Sequence, residues 1–210
     1  MMGGSASESA YRVLMGVLES RTGQTLSPSR IWRIEMSLKP VMQRHNIADL
    51  DALVAGLVTS NSRQLLDDTV DAMLNNETYF YREYSLFDDI AATVLEKLRE
   101  INKLRRRLTI WHCGVSTGQE AYSLAMLIAE QGEKWAGWQV DIVGTDVSYH
   151  AISRARVGLY SQFEIQRGLP VQRMVRWFDQ TEAGWLVKAD IRRRIDFSVQ
   201  NMLTDRPPLA

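Results

Sequence analysis

The chain has a single cysteine, Cys113, among 210 residues. A lone thiol excludes an internal disulfide framework and fits a reducing, cytoplasmic compartment. An excess of one charge is also missing. The 25 basic residues balance the 25 acidic ones, which argues against general attraction to nucleic acid or to an anionic membrane. No run of about 18 apolar residues occurs, so no transmembrane helix is expected. The three histidines, His45, His112 and His150, lie far apart without metal-ligand spacing, so no metal site is expected. The small, polar opening, Met1-Met2-Gly3-Gly4-Ser5-Ala6-Ser7, reads as a leader and not as a signal peptide. Internal repeats and low-complexity tracts are absent. Cys113 itself is expected to be a small buried hydrophobe at a strand end, since no histidine is paired with it.

What is present changes character along the chain. Residues 9–75 carry helical periodicity only. Tyr11, Leu14, Val17 and Leu18 recur at helical spacing, and Ser27 followed by Pro28 offers an N-cap and a first-turn proline for a second helix. Ile31, Ile34 and Leu38 form its apolar stripe, and Pro40 is expected to kink it, end it or start another. Ile47, Leu50, Leu53, Val54 and Leu57 mark a further helix, and Leu65, Leu66, Val70, Met73 and Leu74 one more. These make a small bundle. Asn75, Asn76, Glu77 and Thr78 break the pattern, and Tyr79, Phe80 and Tyr81 follow as an aromatic cluster expected to pack two domains together. Leu86, Phe87, Ile90, Val94, Leu95 and Leu98 then restore helical spacing.

From Leu108 onward strands alternate with helices, the signature of a parallel α/β sheet. Strands are predicted at 108–111, 140–144, 185–188 and 194–198, and helices at 121–129, around Ala151, Ile152 and Ala155, and from Pro170 to Trp177. Of two basic runs, Arg105-Arg106-Arg107 reads as a solvated turn and Arg192-Arg193-Arg194 as alternating along a strand. Neither is interleaved with aromatics as a nucleic-acid platform would be. About three sheet strands precede Ala210, whereas a doubly wound cofactor domain usually has five or more. The sheet is therefore expected to be incomplete.

The stretch from Arg107 to Leu124 is the most informative. An apolar, β-branched run turns through Gly114 and Gly118 into an amphipathic helix. Glycines there let a ligand approach the backbone, and a helix start offers free N–H groups. A second apolar run ends in Asp146, where a ribose is usually held at the tip of the second strand. The spacing Gly114-x-x-x-Gly118 is not the dinucleotide Gly-x-Gly-x-x-Gly. Nor does Gln119-Glu120 follow a P-loop, because an acid there repels phosphate. S-adenosylmethionine fits this pattern, having a ribose, an α-amino group, a sulfonium and no phosphate. The bland alternative is a strand–helix turn without a ligand.

Three ordered motifs resemble the CheR family, chemotaxis methyltransferases that move a methyl group from S-adenosylmethionine to glutamate side chains of chemoreceptors. Asn76-Glu77-Thr78-Tyr79-Phe80-Tyr81-Arg82 is similar to the family's Asn-x-Thr-x-Phe-Phe-Arg. Ser116-Thr117-Gly118-Gln119-Glu120-Ala121-Tyr122-Ser123 is similar to its Ser-Thr-Gly-Glu-Glu-Pro-Tyr-Ser. Gly144-Thr145-Asp146, then Ala155, Gly158 and Tyr160, then Arg167-Gly168-Leu169-Pro170, are similar to the region after its second strand. The resemblance runs from about residue 10 to Leu203. Gln119 departs from a usual Glu, Ala121 from a usual Pro and Met202 from a usual Leu. Gly114-Val115 stands where a small-residue pair is common. The family's Cys-Arg-Asn-Val-x-Ile-Tyr-Phe motif would lie beyond Ala210, so the chain is expected to be truncated at its C-terminus, to lack part of its active site, to bind cofactor poorly or not at all as a monomer and not to turn over.

The resemblance implies an α/β fold. A small N-terminal helical bundle (9–75) and a linker contributing to the cofactor site (76–88) precede a Rossmann-like S-adenosylmethionine-dependent methyltransferase domain (89–210). A small antiparallel β insertion is expected between Gly158 and Asn201, with the C-terminal strands missing. Its loop, Asp179 to Gly184, is short, so capture of a receptor tail peptide is not expected. The resemblance also implies that Asn76, Thr78, Arg82, Gly114, Gly118, Glu120, Asp146, Asn201 and Met202 contact S-adenosylmethionine, with S-adenosylhomocysteine as product. Arg82 is the catalytic-site candidate, because a guanidinium can orient a carboxylate by paired hydrogen bonds. The alternatives beside these roles are a solvated arginine at Arg82, turn capping at Asn76 and Thr78, a first-turn acid favoured by the helix dipole at Glu120, and a helix N-cap at Asp146. Arg30 and Arg33 share a stripe with Ser37 and are candidates for docking the acidic cytoplasmic methylation helices of chemoreceptors, against a plain solvated face. No membrane insertion and no nucleic acid are expected, and the incomplete sheet offers an edge for self-association. Two other functions compete: a dinucleotide-dependent oxidoreductase, disfavoured by the missing third glycine and by Glu120, and a non-catalytic receptor-docking or regulatory fragment.

Overall fold

The computed structural model describes residues 7–26, 32–60 and 62–208. They fall into two units. One comprises the residues up to Asn75 together with Met202–Thr204; the other comprises Asn76–Asn201 and the residues from Asp205 onward.

The first unit is helical because its apolar residues recur at helical spacing and its helices carry their own caps. Helix α1 (Glu8–Thr22) starts at Ser7, whose side chain accepts from the Ala10 amide, and ends at Gly23 in the left-handed region. Helix α2 is Trp32–Arg44, α3 is Leu50–Thr59 and α4 is Arg63–Met73. Asp49 caps α3 and Ser62 caps α4 by side-chain acceptance from the third residue on. Ala10, Leu14, Leu18, Ile34, Leu38, Val41, Leu53 and Leu65 are buried. Ser27, Pro28, Arg30 and Ile31 lie outside the described residues, so the expected cap of the second helix and the first docking arginine have no structural account. Pro40 does not end its helix: α2 runs through it to Arg44. Pro40 and Met36 are both exposed, so water can satisfy the Met36 carbonyl, which a proline four residues on leaves without a donor.

The second unit opens with an irregular segment, then α5 (Tyr84–Asp89), a π-helical turn (Ile90–Val94) and α6 (Leu95–Ile101). Strand β1 (Arg107–Cys113), α7 (Gln119–Glu130), a 3-10 turn (Gly132–Trp135), β2 (Gln139–Asp146) and α8 (Tyr149–Val157) follow. Next come β3 (Leu159–Tyr160), α9 (Gln162–Gln166), α10 (Val171–Trp177), β4 (Phe178–Thr181), β5 (Gly184–Val187), α11 (Ala189–Arg192) and β6 (Ile195–Val199). Strands β1, β2 and β6 form a parallel sheet in that order, and β3, β5 and β4 a small antiparallel one. The parallel register places Cys113 beside Thr145 and Asp146 beside Val199, so the tips of neighbouring strands end level with one another.

The insertion is narrower than expected. The stretch 195–199 joins the parallel sheet, and Asp179, Gln180 and Thr181 form a strand of a hairpin instead of a loop. Arg192 ends a short helix, and Arg193 and Arg194 lie in the turn before β6, so this basic run does not alternate along a strand. Cys113 is exposed, not buried; it ends β1, one of the two edge strands of the sheet among the described residues.

Helix α7 is buried on nearly every face, from Gln119 to Ile128. Its Tyr122 and the surrounding Phe80, Tyr160, Phe178 and Phe197 pack edge to face, with ring centroids 5.0 Å apart for Phe80 and Tyr160 and 5.5 Å for Tyr122 and Phe197. Phe80 and Tyr81, expected to join two domains, are core residues of the second unit itself. Buried phenols need acceptors: Tyr122 donates to the Ala155 carbonyl at 2.6 Å and Tyr160 to the Thr117 carbonyl at 2.7 Å. The second of these bonds ties the small sheet to the glycine turn.

Close packing beside Gly144 makes the fold testable. A Cβ there would lie 2.8 Å from Phe197 Cδ1. Gly144→Ala is expected to destabilise the chain by about 1–3 kcal/mol, as overpacking does. Urea denaturation checks this, and an unchanged midpoint would show that Phe197 can move aside.

Candidate active site

The tips of β1 and β2 meet at a hydrogen-bonded turn. After Cys113 the chain passes through Gly114 in the left-handed region (φ 71°), where a Cβ would meet open space. Val115 N–H donates to the Thr145 carbonyl at 2.9 Å. Ser116 adopts the left-handed region without being glycine (φ 50°), a conformation that costs about 1–3 kcal/mol and must be held by its surroundings. Its N–H donates to Asp146 Oδ2 at 2.7 Å, and its hydroxyl donates to the Asn76 carbonyl at 3.0 Å. Gly118 (φ 95°) then starts α7. A Cβ at Gly118 would lie 3.0 Å from Ala155 Cβ and 3.2 Å from the Tyr160 hydroxyl, so glycine is required here by both space and conformation.

Asp146 is buried and braces this turn. Besides Ser116, it accepts from Ser148 N–H through Oδ1 at 2.9 Å. It is not the N-cap of α8. Ser148 fills that place, its hydroxyl accepting from Ala151 N–H at 2.9 Å. A carboxylate has about four acceptor positions, so these bonds leave capacity for a ligand hydroxyl. The Asp146 carbonyl accepts from Gln200 N–H at 2.8 Å, which sets Asn201 just past the tip of β6. Asn201 in turn takes its N–H to Asp205 Oδ2 at 2.8 Å. Met202 is exposed and groups with the first unit.

The irregular segment before α5 supplies the other wall. Thr78 Oγ1 is buried without a hydrogen-bond partner. Arg82 donates to the Glu77 carbonyl at 3.1 Å. Glu120, in the first turn of α7, is partly buried. Burial pushes its carboxyl above the usual range, Arg82 pulls it down and Glu83 pushes it up. Arg82 thus acts electrostatically on the first turn of α7. A cavity of about 390 Å³ opens between Asn76 to Thr78, Thr117, Gln119 and α8, with Arg154 and Arg167 on its rim. These arginines pair with Glu164 and Glu77 at 2.8 Å.

Of the residues singled out from sequence, Asn76, Gly114, Gly118 and Asp146 are therefore joined by one hydrogen-bonded turn, and Arg82 and Glu120 by charge. Arg33, in the first unit, is half-buried and lines a shallow depression with Ser37, Ile34 and Met73. Sequence reasoning missed Ser116, the hinge of the turn, and Ser123, whose hydroxyl accepts from Tyr81 N–H at 3.0 Å. Only the backbone geometry reveals the first, and only the tertiary contact the second.

A ligand with ribose hydroxyls and positive charge fits this set. Asp146 and Glu120 favour a cation and repel phosphate, Gly114 leaves space, and Thr78 offers an unpartnered hydroxyl. The raised carboxyl of Glu120 also has a cost. Its protonated form is the one favoured by folding, so its contribution is fully present below the unfolded glutamate range, near ~4.3, and is lost as pH rises through the folded value. Glu120→Gln removes that loss. Thermal unfolding of Glu120→Gln is expected to be higher than wild type at pH 7, with the gap closing toward pH 4. A gap that is absent at pH 7 would mean that Arg82 fully compensates the buried charge.

Comparison with known proteins supports the same assignment. Residues 76–210 match the family model described as CheR methyltransferase, SAM binding domain. The chain is 34% identical over 205 residues to chemotaxis protein methyltransferase 1 of Pseudomonas aeruginosa, covering 95% of this chain and 73% of that protein. It is 32% identical over 200 residues to chemotaxis protein methyltransferase 1 of Vibrio cholerae, covering 94% and 72%. A chemotaxis protein methyltransferase of Borreliella burgdorferi is 26% identical over 201 residues, covering 94% and 71%. Among the described residues no helix is long and apolar enough to cross a membrane. With a parallel sheet whose strand tips carry a glycine turn and Asp146, and with this match, the chain belongs to the CheR family of S-adenosylmethionine-binding chemotaxis methyltransferases.

Proposed function

We propose that the chain transfers a methyl group to glutamate side chains on the cytoplasmic helices of chemoreceptors, with Arg82 orienting the receiving carboxylate. What supports this reading is the family match over residues 76–210, together with the lowering influence of Arg82 on the Glu120 carboxyl. S-adenosylmethionine, when bound, supplies a methyl group activated by a sulfonium sulfur. A receptor glutamate is ionised at neutral pH, so no side chain of the enzyme has to remove a proton. The sulfonium charge of the bound cofactor would cancel the charge of the receiving carboxylate on methyl transfer, so no added base would be needed. The remaining task is alignment. A guanidinium suits it, because two parallel N–H groups fix a carboxylate in plane. In this reading Glu120 and Asp146 hold the ammonium and ribose ends of the cofactor, Asn76, Thr78, Gly114 and Gly118 line its approach, and Asn201 and Met202 close the set. The domain limits that go with it are 9–75, 76–88 and 89–210.

Methyl transfer to a receptor helix, followed as base-labile label, tests the reading when set beside calorimetry with S-adenosylhomocysteine. Arg82→Lys is expected to lower kcat roughly tenfold to a hundredfold, since misalignment of reacting atoms is costly. Asp146→Ala is expected to weaken S-adenosylhomocysteine by roughly 1.5–3 kcal/mol. Its loss also frees two backbone N–H groups, so thermal stability falls as well. Full methylation by Arg82→Lys would remove that residue from the reaction, and unchanged affinity in Asp146→Ala would remove it from the cofactor site.

Docking is read on the helical unit. Arg33, with Arg30, supplies positive charge for the acidic methylation helices. Arg30→Glu with Arg33→Glu is expected to slow association with an acidic receptor segment and to leave S-adenosylhomocysteine affinity intact. Stopped-flow binding should show the difference shrinking as salt rises. Equal rates at low salt would reduce the stripe to a solvated face.

A further inference from the structure

Arg82 stands between two non-glycine residues in the left-handed region, Tyr81 (φ 51°) and Glu83 (φ 56°). A bulky side chain disfavours that backbone, which persists only where its surroundings over-determine it. At Tyr81 the surroundings are dense. Its N–H donates to Ser123 Oγ at 3.0 Å. Its ring lies 5.1 Å from that of Phe87 and 5.6 Å from that of Tyr84. The Arg173 guanidinium covers the ring face at 4.2 Å.

Arg173 is itself fixed on three sides. Nε and Nη2 donate to the two carboxylate oxygens of Glu130 at 2.9 and 2.8 Å, and Nη1 donates to the Tyr84 hydroxyl at 2.6 Å. Trp177 donates to the same Glu130 at 3.1 Å. A residue of α10 is thus locked to the end of α7, and in that position it grips the aromatic residues on both sides of Arg82. A bidentate guanidinium is needed for this, because an ammonium cannot hold two parallel bonds to Glu130 and a third to Tyr84.

We propose that Arg173 is a positioning residue which, by clamping Tyr81 and Tyr84 against Glu130, holds the left-handed turn that carries Arg82. The inference rests on the reading of Arg82 as the group that orients the substrate carboxylate. It assigns Arg173 no contact with substrate.

The titration of Glu120 in the ligand-free chain is sensitive to Arg82, which lowers that carboxyl while burial and Glu83 raise it. It is followed by carbon-13 NMR and assigned with Glu120→Gln. Arg82→Ala should raise the Glu120 midpoint. Arg173→Ala should raise it too, and the double variant should raise it no further than Arg82→Ala alone. In the methylation assay Arg173→Ala should lower kcat roughly tenfold or more with little change in the KM for S-adenosylmethionine, and the double variant should be no slower than Arg82→Ala. Arg173→Lys, with its fold checked by circular dichroism, carries the same expectation at smaller size and serves if Arg173→Ala fails to fold. A Glu120 midpoint and a kcat that stay at wild-type values in a folded Arg173 variant overturn the proposal, as does a loss of kcat that multiplies with that of Arg82→Ala. If Arg82→Ala moves neither readout, the reading of Arg82 itself fails and takes the inference with it.

Discussion

A buried carboxylate accepting two backbone N–H groups is the constraint on which the site depends. Asp146 ends β2, and its oxygens take the amides of Ser116 and Ser148. One bond holds a left-handed serine in the turn after β1, and the other fixes the entry into α8. A charge-assisted bond to a backbone amide is stronger than a neutral one, so the strain at Ser116 can be sustained. The parallel register then matters. Because Cys113 pairs with Thr145, both strands end level and Asp146 reaches across to the turn without a detour.

From that turn the geometry propagates to the segment around Arg82. The Ser116 hydroxyl holds the Asn76 carbonyl, and Ser123 on α7 holds the Tyr81 amide. The motif around Arg82 is therefore tied to the glycine turn and its helix by bonds from serines, before any side chain of the motif is considered. Glu120 is the counterpart: an acid in the first turn of α7, kept partly out of water, whose carboxyl is raised by burial and eased by Arg82. Such a group costs stability in the unliganded protein and gains most when a cation arrives. An acid in that place is compatible with an ammonium-bearing cofactor and disfavours a phosphate.

Much of this was legible in the sequence, for identifiable reasons. Helical spacing around Leu14, Leu18, Leu38 and Leu53 yields real helices because local periodicity and capping serines and aspartates agree. The strand–glycine–helix pattern and Asp146 are legible because a glycine turn and an acid at a strand tip have few structural meanings. Features that depend on exposure or on distant partners were not. Pro40 remains inside its helix at an exposed position, and Met36, whose carbonyl it leaves without a donor, is exposed too, which periodicity does not report. Cys113 is exposed at the end of an edge strand, and strand order is not a local property. Ser116 carries no residue-level sign of its left-handed backbone, which glycine would normally announce. The lock between Arg173 and Glu130 joins residues far apart in sequence, each unremarkable among its neighbours.

We propose that one set of residues, gathered at the tips of β1 and β2, takes a ribose-bearing cation without phosphate. Amide chemical shifts during titration with S-adenosylhomocysteine, and separately with NAD, test this most directly. The account predicts that S-adenosylhomocysteine moves the amides of Asn76 to Arg82, Gly114 to Glu120 and Asp146 together, and that NAD moves none of them. Shifts at these positions with NAD, or S-adenosylhomocysteine shifts confined to other parts of the chain, would contradict it.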